Sequence, residues 1–164
     1  LGEVQKILQH LLRERISIRN LVTILETLAD NASRTKDVDT LGEMVRIALA
    51  RSICKQYVDE GTHALQCITL DPELEQELLE KVQPGLNQLL IEPSLARQLL
   101  QQLTTQMEKI VSLGFPPVLL CMQALRLPIR RLAERSLPQL VILSYNEIVP
   151  QTDVRAVGTV TMPS

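Results

Sequence analysis

Aromatic side chains are nearly missing from this chain: one Phe, two Tyr and no Trp among 164 residues. Any core must therefore be aliphatic, built from Leu, Ile and Val. The stacking platforms that hold single-stranded nucleic acid are excluded, because they need several aromatics on one surface. Histidine is as scarce, with only His10 and His63, and both read as solvated surface residues. The three cysteines, Cys54, Cys67 and Cys121, lie far apart with no CxxC or Cys/His ligand spacing. A zinc site needs several spaced ligands, so no metal is expected. The thiols read as free and at least half-buried, in a reducing compartment.

Catalytic patterns are equally thin. The six glycines are scattered and form no phosphate-cradling loop between a strand and a helix. Ser94, Ser112, Ser136 and Ser144 lack the GxSxG setting of an activated nucleophile. The carboxylate pairs Asp37/Asp39 and Asp59/Glu60 sit where helix caps and ends account for them. No catalytic residue and no cofactor is expected, and the chain does not read as an enzyme.

Charge and hydropathy exclude more. Formal net charge is −2, with nine Lys+Arg against nine Asp+Glu over residues 1–60 and eight against ten over the remainder. Neither part is basic enough for the phosphate neutralisation that drives DNA affinity. The longest apolar stretches, such as Pro116 to Met122, run to about seven residues, where a membrane-spanning helix needs roughly 20. The chain opens on Leu1 inside an amphipathic pattern and reads as part of something longer.

What is present is a core-forming pattern, with 45% hydrophobic and 22% charged residues. Val4, Ile7, Leu8, Leu11 and Leu12 recur at helical spacing. Ser17 suits the N-cap of a second helix carrying Ile18, Leu21, Val22, Leu25, Leu28 and Ala29 on one side. Asp37 and Asp39 are placed to cap a third, with Leu41, Met44, Val45, Ala48, Leu49 and Ser52 inward and Arg46, Arg51 and Lys55 on its polar side. This helix is expected to stop at Asp59-Glu60-Gly61.

Beyond Gly61 the period changes. Ala64 to Leu70 is a strand candidate. Asp71-Pro72 then opens a helix to about Val82, and Leu89 to Ile91 is a short strand candidate. Glu92-Pro93 opens a long helix to about Leu113, closed by Gly114. Phe115 to Cys121 and Gln139 to Leu143 read as buried strands flanking a helix from about Pro128 to Ser136, a βαβ unit that predicts parallel pairing. Arg155 to Met162 gives a last, more exposed strand. The expected architecture is α+β or α/β. A three-helix, winged-helix-like subdomain over residues 1–60 precedes a small α/β subdomain over residues 61–164 with a mixed, partly parallel sheet.

Two basic features remain as candidate interaction residues. Arg46 and Arg51 are nominated on the third helix. Arg126, Arg130, Arg131 and Arg135 form a strip, with Arg126 and Arg130 on one helical face and Arg131 and Arg135 on a neighbouring one. The strip fits an acidic partner, or a solvated face that pairs internally with Glu134 and other glutamates. The alternative reading of the helical part is a nucleic-acid-binding winged helix. Glu43, Asp59 and Glu60 beside Arg46, Arg51 and Lys55, and the lack of a basic arm, count against it.

Local stretches carry a family resemblance along nearly the whole chain. LQHLLRERISIRNLVTI over residues 8–24 resembles the FlhA family of type III secretion export-gate proteins, as do VRIALARSI within Leu41 to Ile53 and ALQCITLDP over residues 64–72. The most specific is PPVLLCMQALRLPIRRLAERSLPQLVILSYNEI over residues 116–148, with the flagellar members favoured over the virulence ones. The resemblance implies the last two of four cytosolic subdomains of a protein anchored in the bacterial inner membrane through an N-terminal region absent here. It implies a nine-membered ring below the export channel, with partners among export chaperone–cargo complexes, the ATPase stalk protein and other export-apparatus proteins. On that basis residues 1–60 serve subunit contacts and residues 61–164 face the cleft where stalk and cargo engage.

Overall fold

In the computed structural model, which describes residues 2–161, the chain divides into two compact units. The first holds the residues up to Gln56 together with Glu147–Val149, and the second holds Tyr57–Asn146 and the residues from Pro150 on.

The first unit is built from helices α1 (Gly2–Arg13), α2 (Leu21–Asn31), α3 (Val38–Ala48) and α4 (Ala50–Tyr57). Ile7, Leu11, Ile16, Ile24, Leu28, Leu41, Val45, Leu49, Ile53 and Cys54 form its core. Three departures from expectation have local causes. The third helix is divided at Leu49, whose N–H is shared between the carbonyls of Val45 and Arg46, both at 3.0 Å. This three-centre bond tightens the turn and ends α3 before α4 begins. The N-cap of α2 is Asn20, which accepts from the Thr23 N–H at 3.3 Å, and not Ser17. Ser17 accepts from the Arg19 N–H two residues on, at 3.2 Å, and so shapes the turn before the helix.

The inward face of α2 also differs. Ile24 and Leu28 are buried while Leu21, Val22 and Leu25 are exposed. The inward stripe is Ile24, Thr27, Leu28 and Asn31, at regular helical spacing with its two polar members half-buried. Thr27 belongs there because its hydroxyl donates to the Thr23 carbonyl at 2.7 Å, and the Asn31 amide donates in turn to the Thr27 carbonyl at 2.8 Å. Asp37 caps α3 as expected, accepting from the Thr40 N–H at 3.1 Å.

The second unit holds strands β1 (Ala64–Leu70), β2 (Val82–Gln83), β3 (Gln88–Leu89), β4 (Val118–Cys121), β5 (Val141–Ser144) and β6 (Asp153–Val160), with helices α5 (Pro72–Glu80), α6 (Pro93–Ser112) and α7 (Gln123–Ala133). The main sheet runs β5-β4-β1-β6 with every pair parallel, and β2-β3 is a separate antiparallel ribbon. Val118 pairs with Val141 and Cys121 with Ser144, the parallel β4–β5 pairing that the βαβ pattern predicts. A register shift between Cys67 and Ile68 marks a bulge against β6. Met162, placed in the last strand by its pattern, lies outside the described residues.

Asp71 caps α5 with Pro72 in its first turn, and Gly114, at φ 88, ends α6 in the left-handed conformation glycine adopts freely. Helix α7 begins at Gln123, five residues before Pro128, and not at the proline. Pro128 forfeits one intrahelical bond, but Leu125, Pro128 and Ile129 are buried along one face, which offsets the loss. The N–H of Met122, just ahead of α7, finds the Glu75 carboxylate at 3.0 Å. The core of this unit is aliphatic, centred on Ile68, Leu74, Leu78, Leu103, Ile110, Leu119, Leu125 and Ile142.

Candidate interaction surfaces

The six nominated arginines divide by burial. Arg46, expected on the polar side of its helix, is only 3% exposed. Its Nε donates to Glu147 Oε2 at 2.5 Å and its Nη2 to Oε1 at 3.2 Å, and its Nη1 lies 3.6 Å from Glu14 Oε1. Glu147 is fully buried. The cause is the return of Glu147–Val149 to the helical unit, which delivers a carboxylate that local periodicity does not reveal. Cys54 completes this cluster: its thiol donates to the Glu147 carbonyl at 3.0 Å and accepts from the Val149 N–H at 3.4 Å. Burial pushes the Cys54 thiol pKa up and the Glu147 charge adds to the shift, against the Val149 hydrogen bond. Arg46 is thus a structural cation, and Arg51 is the exposed member of the pair.

Arg126 is also buried, 1% exposed, with Nη1 donating to the Ile142 carbonyl at 3.3 Å. It braces α7 against β5 and presents no charge to a partner. Its helical neighbour Arg130 is half-buried, 3.8 Å from Glu134 one turn on. Arg131 is half-buried and donates to the Leu86 carbonyl at 2.8 Å, which ties α7 to the β2-β3 ribbon. Arg135, beyond the helix end, is exposed. The expected strip therefore reduces to Arg130, Arg131 and Arg135 at the surface.

Sequence patterns missed the apolar surface beside these cations. Leu86 is 51% and Leu90 60% exposed, at the two ends of the ribbon. The signal was the Pro84-Gly85 dipeptide followed by Asn87, a strong turn marker. Among the described residues no group of three or more His, Cys, Asp or Glu is placed to hold a metal ion. None of the described helices is long and apolar enough to cross a membrane.

A model of the FHIPEP family matches residues 1–153. The chain belongs to the FHIPEP family. It is similar to the flagellar biosynthesis protein FlhA of Yersinia enterocolitica, 44% identical over 160 residues, which is 98% of this chain and 22% of that protein. The chain thus spans about a fifth of the length of that relative. Among solved structures it resembles nonameric EPEC SctV-C, with a TM-score of 0.80 and 31% identity over 97% of this chain and 51% of that one. It also resembles CdsV of Chlamydia pneumoniae, solved in complex with CdsO, with a TM-score of 0.84 and 30% identity over 95% of this chain and 45% of that one. The expected helical-plus-α/β architecture is shared with these two solved structures, and the higher identity lies with the flagellar relative.

Proposed function

We propose that this FHIPEP segment is part of the cytosolic portion of a type III protein export gate, assembling into a ring and docking export chaperone–cargo complexes and the ATPase stalk. The observation that carries the reading is the match of the whole two-unit chain to SctV-C, a relative solved as a nonamer. The CdsV–CdsO complex adds a relative that binds a second protein. Residues 1–60 correspond to the third cytosolic subdomain and residues 61–164 to the fourth. Arg51 is the candidate for subunit contacts in the first unit, and Arg130, Arg131 and Arg135 for docking in the second. No side chain in either unit is assigned a catalytic role. The full-length protein reaches the membrane through regions outside this chain, and this part works at the cytoplasmic face.

The test is secretion by cells whose gate protein lacks the segment from residue 61 on. The expected result is loss of export with the protein still inserted in the membrane at its normal level. Export at the normal rate contradicts the reading. Ring formation is tested by sizing the complete cytosolic region with and without Arg51→Glu, the expected effect being a shift from nonamer to smaller species.

A further inference from the structure

We propose that α2 of one copy packs against the outer face of α3 and α4 of the next copy, so that an apolar stripe with an acidic edge meets an apolar spot with a basic edge. This rests on the reading of the chain as part of a ring, and names the two faces that meet between neighbours.

The stripe is what α2 leaves outside its own unit. Leu21, Val22 and Leu25 are 42%, 67% and 46% exposed, and Ala29 is exposed one turn beyond Leu25. The core takes Ile24 and Leu28 from this helix and accepts the half-buried Thr27 and Asn31 beside them. A helix that turns two polar side chains inward and three large apolar ones outward is not explained by the folding of this unit alone. A continuous apolar surface of this kind marks a contact with another surface.

Charge selects what covers it. Glu26 and Asp30 stand exposed one turn apart beside the stripe, and α2 carries no Lys or Arg. Asp30 lies in the last turn, at the negative end of the helix dipole, where its own helix disfavours a carboxylate. The reverse holds on α4, where Arg51 and Lys55 stand exposed one turn apart and no acidic residue is present. Ile47, 36% exposed, and Ala48 are exposed at the end of α3, four and three positions ahead of Arg51. None of these four charged side chains enters an ion pair among the described residues. Other charges stand further out: Arg19, Arg34 and Lys36 lie in the loops off the ends of α2, and Glu43 is half-buried on α3. Four residues of helix rise about 6 Å, so the acidic and basic pairs match in length and can close two ion pairs together.

The two faces differ, so the contact is heterologous. Each copy offers α2 to one neighbour and α3–α4 to the other, the arrangement that closes into a ring. Packing α2 on α2 about a two-fold axis would set Glu26 and Asp30 against like charges. The relative SctV-C is a nonamer, an odd number that two-fold contacts alone do not build.

The experiment sizes the complete cytosolic region by analytical ultracentrifugation over a series of concentrations. Glu26→Lys/Asp30→Lys is compared with Arg51→Glu/Lys55→Glu, with all four changes combined, and with Val22→Glu in the stripe. All five positions are exposed, and thermal unfolding checks that the fold is kept. Each reversed pair is expected to weaken assembly about tenfold or more, and the combined variant to regain most of the loss. Val22→Glu is expected to stay a single copy. Assembly unchanged by either reversed pair overturns the contact and leaves the ring reading standing. Loss in both pairs with no recovery in the combined variant also overturns it, because the two edges then do not face each other. Val22→Glu that melts at lower temperature yet assembles normally shows the stripe covered by another part of the same copy, which overturns the proposal as well. A wild-type region that stays a single copy at every concentration overturns the ring reading together with the contact.

Discussion

Arg46 and Glu147 stand 101 positions apart in the chain, yet the guanidinium grips the carboxylate through two hydrogen bonds, Nε to Oε2 at 2.5 Å and Nη2 to Oε1 at 3.2 Å. Both side chains are almost wholly shielded from water. A buried ion pair is costly to half-remove, since the surviving charge keeps its desolvation penalty and loses its partner, typically about 3–5 kcal/mol. Glu147→Ala is expected to lower stability by that amount in urea unfolding. Arg46→Met combined with Glu147→Leu is expected to recover much of the loss, because it leaves no buried charge from the pair. A double variant as unstable as Glu147→Ala contradicts this account.

The arginines of α7 give a second contrast. Arg126→Ala removes a buried side chain and the donor to the Ile142 carbonyl, and is expected to cost about 2–4 kcal/mol. Arg135→Ala, at an exposed position, is expected to stay within about 0.5 kcal/mol of the parent. Chemical denaturation of the two variants side by side checks the difference. It separates a bracing arginine from one available to a partner.

The cap of α2 offers a third test. Asn20→Ala is expected to cost about 1 kcal/mol through loss of the bond to the Thr23 N–H. Ser17→Ala is expected to cost a few tenths, since its hydroxyl serves only a two-residue turn. Thermal melts of both variants decide it, and equal costs contradict the cap assignment.

The thiols give a prediction in pH. Cys54, Cys67 and Cys121 are buried thiols in no disulfide, and burial pushes the Cys67 thiol up from 9.0 to about 11. An alkylating reagent at pH 8 is expected to leave all three unlabelled in the folded protein and to label all three in denaturant. Linkage sets the sign for stability. The unfolded chain loses the Cys67 proton at lower pH than the folded one, so the folded state binds more protons between pH 9 and 11. Stability falls as pH rises through that window.

Much of the fold was legible in the sequence, for identifiable reasons. Strand β1, the Asp71-Pro72 start of α5, the Gly114 end of α6 and the β4–β5 pairing follow from local turn chemistry and uninterrupted apolar runs. Leu49 was not legible as a break, since its neighbours keep helical periodicity across it. The inward face of α2 was misread because Thr27 and Asn31 satisfy their polar groups on the helix backbone and can therefore turn inward. Burial of Arg46 could not be read, because its carboxylate arrives from a distant segment. Exposure of Leu90 is hard to read because leucine in a short strand reads first as core, whereas Leu86 stands in the Pro84-Gly85 turn itself, outside any expected strand.

The central claim is that the second unit docks components of the export machinery. The most direct test titrates the complete cytosolic region with the stalk protein and with a chaperone–cargo complex, following backbone amide signals of this segment by NMR. The account predicts shifts gathered on residues 61–164, strongest around the C-terminal end of α7. A well-dispersed spectrum that stays unchanged at saturating concentrations of both probes would contradict it.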